Sequence, residues 1–130
     1  MNPHLVGFGG GGTVSILSIE IASFLGFQEM ILIGTDVSYV VSDTVEQSGD
    51  KWINDVGERL TSTADDDPNH FSPAYFGAGK RWHNPNTTEM KIGFGRATRY
   101  LAKQGKRLIN ATPGGDLETV PRVKLESLFK

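Results

Sequence analysis

The chain has 130 residues, 38% hydrophobic and 22% charged, with a formal net charge of −2 and no cysteine. This length supplies one small core and suits a single domain over residues 1–130. The charge offers nothing to nucleic acid or an anionic membrane, and the missing thiols exclude disulfides and thiol chemistry. The apolar run Val14–Phe27 carries Glu20 in its middle and is too short to span a bilayer. No basic segment precedes it, so it does not read as a signal peptide, and the expected location is cytoplasmic.

In chain order, His4–Phe8 reads as a strand or an arm, followed by the glycines Gly9–Gly12. Thr13 is an N-cap residue. From Val14 to Leu25 nearly every position is apolar or small, which predicts a helix buried on all sides, stopped by Gly26. Met30–Gly34 is a β-branched run typical of a buried parallel strand, ended by Thr35 and Asp36. Residues 37–64 are mixed, with Lys51–Thr61 read as helical. Asn86 or Thr87 caps a second helix, Thr88–Gln104. Its glycines Gly93 and Gly95 each cost about 1 kcal/mol relative to Ala and imply close backbone packing. Gly105 stops that helix, Arg107–Ala111 is a second buried strand, Thr112–Gly115 a turn, and Pro121–Phe129 a final short helix.

Between the two halves lies Asp65–Pro85. It holds three carboxylates, two of the three histidines, four aromatics and three prolines in twenty-one residues. With neither helical nor strand periodicity it reads as a loop, and loops on a rigid scaffold carry binding and catalytic groups. The order helix, strand, loop, helix, strand is half of an open α/β sheet. The expected fold is therefore α/β, a Rossmann-like three-layer sandwich that is incomplete, the C-terminal half of an open parallel sheet. Ligands of such sheets sit beyond the carboxyl ends of the strands, where Asp36 and Thr112 fall.

Several motifs bear on chemistry. Gly7–Gly12 fits G-x-G-x-x-G and opens a helix, whose N-terminal N–H groups favour phosphate. Contact with a phosphate or nucleotide is expected at Gly11, Gly12 and Thr13; the alternative is a plain N-terminal arm. Asp36 suits a ribose, a metal or a substrate hydroxyl, or simply caps a turn. Asp65-Asp66-Asp67 could hold a magnesium ion, but consecutive acids do not point one way, so the triplet reads as surface. His70 is the candidate general base. His83 either orients a substrate or caps the second helix, and with no third ligand the two histidines do not make a zinc site. Lys80 and Arg81 could neutralise phosphate or be solvated surface.

Three blocks in order, GGTVSILSIEIASFLGFQEMILIGTD, NHFSPAYFGAGKRWHNPN and LINATPGGDLETVPRV, resemble the MptE-like domain family, named for archaeal 6-hydroxymethylpterin pyrophosphokinase. That family includes many proteins from surface-polysaccharide and flagellin-glycosylation loci. The layout is also similar to bacterial sialyltransferases that use CMP-sialic acid. This second resemblance implies that Gly12 and Thr13 lie near the nucleotide, that Tyr39 or Ser38 lies near the leaving phosphate, and that His70 deprotonates the acceptor hydroxyl. Such enzymes carry upstream strands with a further nucleotide loop. The chain is accordingly expected to be a fragment or a half that self-associates.

The leading expectation is a transferase acting on a nucleotide-activated donor, of sialyltransferase-like type. His70 and Tyr39 are its catalytic residues. Gly11, Gly12, Thr13, Asp36, Ser38, Lys80, Arg81, Trp82, His83 and Thr112 bind substrate or nucleotide, and the partners are a small-molecule donor and a second copy of the chain. The alternatives are a magnesium-dependent pterin pyrophosphokinase, with metal at Asp36 or Asp65–Asp67 and the pterin stacked on Trp82, Phe71 or Tyr75, or a non-catalytic binding fragment.

Overall fold

A computed structural model describes residues 12–51 and 58–129. The expected arm at His4–Phe8 and the candidate Gly11 lie outside the described residues. The chain divides into two compact units. One is Met1–Ser38 with Thr87–Lys130, and the other is Tyr39–Asn86. The second unit is therefore an insertion in the chain between the first strand and the second long helix.

In the discontinuous unit, helix α1 (Val14–Phe24) begins where Thr13, in extended conformation, accepts the Ser15 N–H on its Oγ1 at 3.3 Å. It ends where Gly26 takes φ +96° and lets the Phe27 N–H donate to the Ala22 carbonyl at 3.2 Å. Strand β1 (Glu29–Leu32) follows. After the insertion come helix α2 (Thr87–Lys103), closed by Gly105 at φ +72°, and strand β5 (Arg107–Asn110). Strands β1 and β5 pair in parallel, with Met30 opposite Leu108 and Ile31 opposite Ile109. On its far side β5 makes a single parallel bridge, Asn110 to Arg122. A 3-10 helix, Leu125–Phe129, closes the described chain.

Alternation along a strand puts Met30 and Leu108 on one face of the sheet. Ile16 and Ile19 of α1 and Phe94, Ala97 and Leu101 of α2 join them in one buried cluster, with Val37, Leu117 and Val120. Full burial of a side chain such as Phe94 or Leu101 stabilises by about 1.5–3 kcal/mol. The two glycines inside α2 are buried, and a Cβ on Gly95 would sit 3.4 Å from Thr119 Cβ, the close packing that their presence implies.

Both helices thus cover the same face. The described residues of this unit form two layers, a helix layer on a small parallel sheet, and not the three-layer sandwich expected. The class is α/β. A second departure follows from the first. Helix α1 was expected to be buried all round, yet Val14, Leu17, Ile21, Phe24 and Leu25 are 50–73% exposed. A helix lying on one side of two strands has neighbours on one side only, so Ile16 and Ile19 are its fully buried positions.

The inserted unit is built on an antiparallel sheet in the order β2 (Val45–Lys51), β3 (Glu58–Ser62), β4 (Arg81–His83). The helical reading of Lys51–Thr61 is corrected here. Lys51 ends β2 and Glu58–Thr61 belong to β3, while residues 52–57 lie outside the described residues. Cross-strand partners decide the matter: Leu60, fully buried, faces Gln47 on one side and Trp82 on the other. Strand β4 also shortens the expected loop, because Arg81, Trp82 and His83 are strand residues. Among the described residues no helix is long and apolar enough to cross a membrane.

Candidate functional site

The loop from Asp65 to Lys80 leaves β3 and returns as β4, and polar contacts fix its course. The Gly79 N–H donates to the Ser62 carbonyl at 2.7 Å and the Ser62 N–H to the Lys80 carbonyl at 3.0 Å, closing its two ends. The three aspartates then diverge. Asp65 Oδ1 accepts the Ala78 N–H at 2.8 Å. Asp66 accepts the hydroxyls of Ser42 at 2.6 Å and Thr44 at 2.7 Å. Those two hydroxyls hold its carboxyl below the usual carboxylate range. Gly77 is required where it stands, since a Cβ there would lie 2.0 Å from Asp65 Oδ1 and 3.0 Å from the Ala74 backbone.

Asp67 turns inward. Its side chain is 3% exposed, and His70 Nδ1 lies 2.8 Å from its Oδ2. The same carboxylate accepts the Asn69 N–H at 2.9 Å and the Phe76 N–H at 3.2 Å. Burial pushes this carboxyl up, but the Asn69 and Phe76 N–H groups, then His70, outweigh it and hold it below the usual range. A carboxylate only accepts, so Nδ1 carries a hydrogen toward it, and in the neutral ring the lone pair is on Nε2. Nε2 has no hydrogen-bond partner among the described residues, and the His70 side chain is 30% exposed. A histidine oriented by a buried carboxylate, with its second nitrogen open, is equipped to take a proton from a hydroxyl.

An aromatic stack locks the imidazole. Tyr75 lies parallel to His70 with centroids 4.0 Å apart, Phe76 meets His70 edge-on at 5.1 Å, and Trp82 stacks on Phe76 at 5.0 Å. Trp82 Nε1–H donates to Ser62 Oγ at 3.0 Å, which ties the stack to β3. Lys80 reaches under the loop and donates from Nζ to the carbonyls of Ala74 and Tyr75, both at 2.8 Å. Asn69 clamps the start of the unit: its Oδ1 accepts the Val40 N–H at 2.8 Å and its Nδ2 donates to the Val40 carbonyl at 2.7 Å.

The candidates of the inserted unit therefore separate. His70 and Trp82 belong to one cluster. Lys80 is committed to loop carbonyls. Arg81 and His83 flank Trp82 on β4, and strand alternation turns them to the opposite face. Tyr39, 41% exposed, sits one residue before the clamped Val40.

The other candidates lie in the discontinuous unit. Helix α1 packs against α2, and near the start of α2 a Cβ on Gly12 would lie 3.8 Å from Met90 Cγ, while Thr13 is occupied as the N-cap. At the carboxyl ends of β1 and β5 the Thr35 N–H donates to Thr112 Oγ1 at 2.9 Å and the Asp116 N–H to the Asp36 carbonyl at 2.7 Å. Gly115, at φ +72°, lies so close to Asp36 that a Cβ would meet its Cα at 2.5 Å. The guanidinium of Arg122 donates to the carbonyls of Thr112, Gly114 and Gly115. Val37, buried at φ +51°, is the one described non-glycine residue with positive φ. A β-branched side chain there is strained, and such strain collects at binding edges. Ser38 follows, exposed.

Sequence reasoning weighed Asp67 only within the acidic triplet, as a metal site or surface, and missed Asn69, Val37 and Arg122. A possible signal for Asp67 was its spacing of three from His70, which in a tight loop is hydrogen-bonding reach. Arg122 and Val37 carried none. No protein-family model, no curated protein and no solved structure matches the chain.

Proposed function

We propose that this chain is a transferase acting on a nucleotide-activated donor, with glycosyl transfer of the sialyltransferase-like type as the reaction. The observation that carries the reading is the Asp67–His70 pair, with a buried carboxylate on Nδ1 and an open Nε2. His70 Nε2 takes the proton of an acceptor hydroxyl while that oxygen bonds to the anomeric carbon of the donor. The bond from that carbon to the nucleotide phosphate breaks, and the phosphate leaves with the electron pair. Asp67 is the positioning residue, and it stabilises the imidazolium that forms. Tyr39 is assigned to the developing charge on the phosphate, since Lys80 is spent on the loop. The nucleotide assignment of Gly12, Thr13, Asp36, Ser38 and Thr112 belongs to the other unit and stands apart from this step; its support there is the strained residue at the carboxyl edge, Val37.

The reading carries the family resemblance with it. The parallel β1–β5 pair, with both helices on one face, is then the C-terminal half of a Rossmann-like sheet. Self-association in the cytoplasm belongs to the same proposal, supported by the exposed apolar side chains of α1. The magnesium-dependent pyrophosphokinase finds less support. Asp65, Asp66 and Asp67 point to three different partners, and among the described residues no three ligating side chains converge on a metal position.

The test is nucleotide release. The chain is incubated with a CMP-activated sugar and a glycan acceptor, and free CMP is measured. Replacing His70 by Ala lowers the rate by about 10²–10⁴, the usual worth of a general base; unchanged turnover would remove His70 from the mechanism.

A further inference from the structure

We propose that the outer face of α1 is the contact surface of a two-fold dimer of this chain, in which two α1 helices pack antiparallel with Val14 opposite the partner's Phe24 and Leu17 opposite the partner's Ile21. The inference rests on the self-association included in the proposed function, and names its surface and symmetry.

Helix α1 has two apolar sides. Ile16 and Ile19 belong to the core of their own unit. Val14, Leu17, Ile21, Phe24 and Leu25 fall within an arc of about 100° on the other side, and they are 50–73% exposed. That arc carries no charge. Glu20, the single charged residue of the helix, lies outside it and is half-buried. Ser18 lies at its margin and donates its hydroxyl to the Val14 carbonyl at 3.2 Å, so it brings no unmet donor. A helix apolar on two sides is built for two neighbours.

Three observations choose a second copy as the occupant. The first is spacing. Val14, Leu17, Ile21 and Phe24 follow one another at steps of 3, 4 and 3, the steps of a coiled-coil seam. The row reads the same from either end, centred on the level of Ile19. A copy turned end for end about that level presents the same row, with the largest side chain against the smallest and Leu against Ile. This is the self-complementarity that a two-fold contact requires. The second is area. The exposed parts of these five side chains come to roughly 500 Å², so two faces bury on the order of 1,000 Å², the threshold for a specific dimer. The third is electrostatic. A face without charge does not repel its own copy, and antiparallel packing sets each helix N-terminus beside the other's C-terminus, as the dipoles favour. A helix of 11 residues does not pair by itself in water, but α1 is already held by Ile16 and Ile19.

The experiment follows the whole chain by sedimentation velocity over a range of concentrations, where it passes from monomer to dimer. Leu17→Glu and Ile21→Glu, both at exposed positions, leave the helix circular dichroism unchanged and weaken association by about a hundredfold or more, because each buries unpaired carboxylates. The native chain has no cysteine, so introduced thiols report the register. Val14→Cys chains mixed with Phe24→Cys chains give a disulfide-linked pair under mild oxidation. Neither variant links to itself, since like positions stand about 15 Å apart along an antiparallel pair. A monomer at every concentration, which leaves the face to another segment of the chain or to a different protein, overturns the proposal. So does a dimer that survives both Glu variants, a missing mixed link, or Val14→Cys linking to itself. Nucleotide release on the same samples keeps the two ideas apart. A dimer without release keeps the contact and sinks the transferase; release from a native chain that stays monomeric does the reverse.

Discussion

The two units of this chain are held together by different physics. The discontinuous unit folds by burial: ten apolar side chains form one cluster around Phe94 and Leu101. In the inserted unit Leu60 is the one fully buried apolar side chain among the described residues. Its order comes from Asp65, Asp66, Asp67, Asn69 and Lys80, each tied to backbone or hydroxyl partners. Apolar burial tolerates pH and depends on volume. A polar network depends on ionisation and on every partner being present, since a donor left unmet in a buried place costs more than a bond gains. The candidate base stands in the network, where groups are placed by direction and not by bulk.

Breaking the apolar unit gives the largest effect. Phe94→Ala removes its largest fully buried side chain and costs about 3–5 kcal/mol, read by chemical denaturation followed by helix circular dichroism. Both tryptophans, Trp52 and Trp82, belong to residues 39–86, so indole fluorescence follows the inserted unit separately. If it keeps its native value where the helix signal has gone, the two units are independent; a common midpoint abolishes the distinction.

The polar unit is sharpened by Asp67→Asn and by acid. An amide NH₂ only donates: in the place of Oδ2 it leaves the Phe76 N–H unmet, and in the place of Oδ1 the Asn69 N–H, so at least one donor loses its partner at about 1–3 kcal/mol. Acid acts on the same group. Asp66 and Asp67 have their carboxyls lowered by folding. Their stabilisation is therefore complete above the ordinary carboxylate range and is lost as pH falls through the lowered values. Acid titration is expected to shift the indole fluorescence before the helix signal, and Asp67→Asn to flatten that difference. Loss of the helix signal first would reverse the assignment of forces.

The smallest effect is at the cap of α1. Thr13→Ala removes the acceptor of the Ser15 N–H and costs about 1 kcal/mol, confined to the apolar unit and to its thermal midpoint. A shift in indole fluorescence would instead show that the units are coupled.

The apolar unit was the more legible in the sequence. Its two helices and two strands stand within a residue or two of the expected limits, because a β-branched run, a 3.6-residue period and glycine stops are local signals. The polar unit was not legible. VEQSGDK and ERLTS alternate too little to mark strands, and RWH is too short to be read within a loop. Their pairing is decided by partners up to 24 positions away, as for Arg59, which faces His83. Asp67 was read with its neighbours as surface because three consecutive acids look alike until the chain turns Phe76 back onto one of them. His70 was singled out by composition, but the carboxylate that gives it a direction was not.

The parallel sheet has one further consequence. Strand β1 pairs with β5 on one side, and among the described residues nothing pairs with its other side. Such a margin offers a row of donors and acceptors to any extended segment, which is how sheets grow and how proteins aggregate. The number of bonds on offer sets the hazard, and β1 has only four residues, with Glu29 and its partner Arg107 as charges at the entry. Its brevity leaves an intruding strand little to hold.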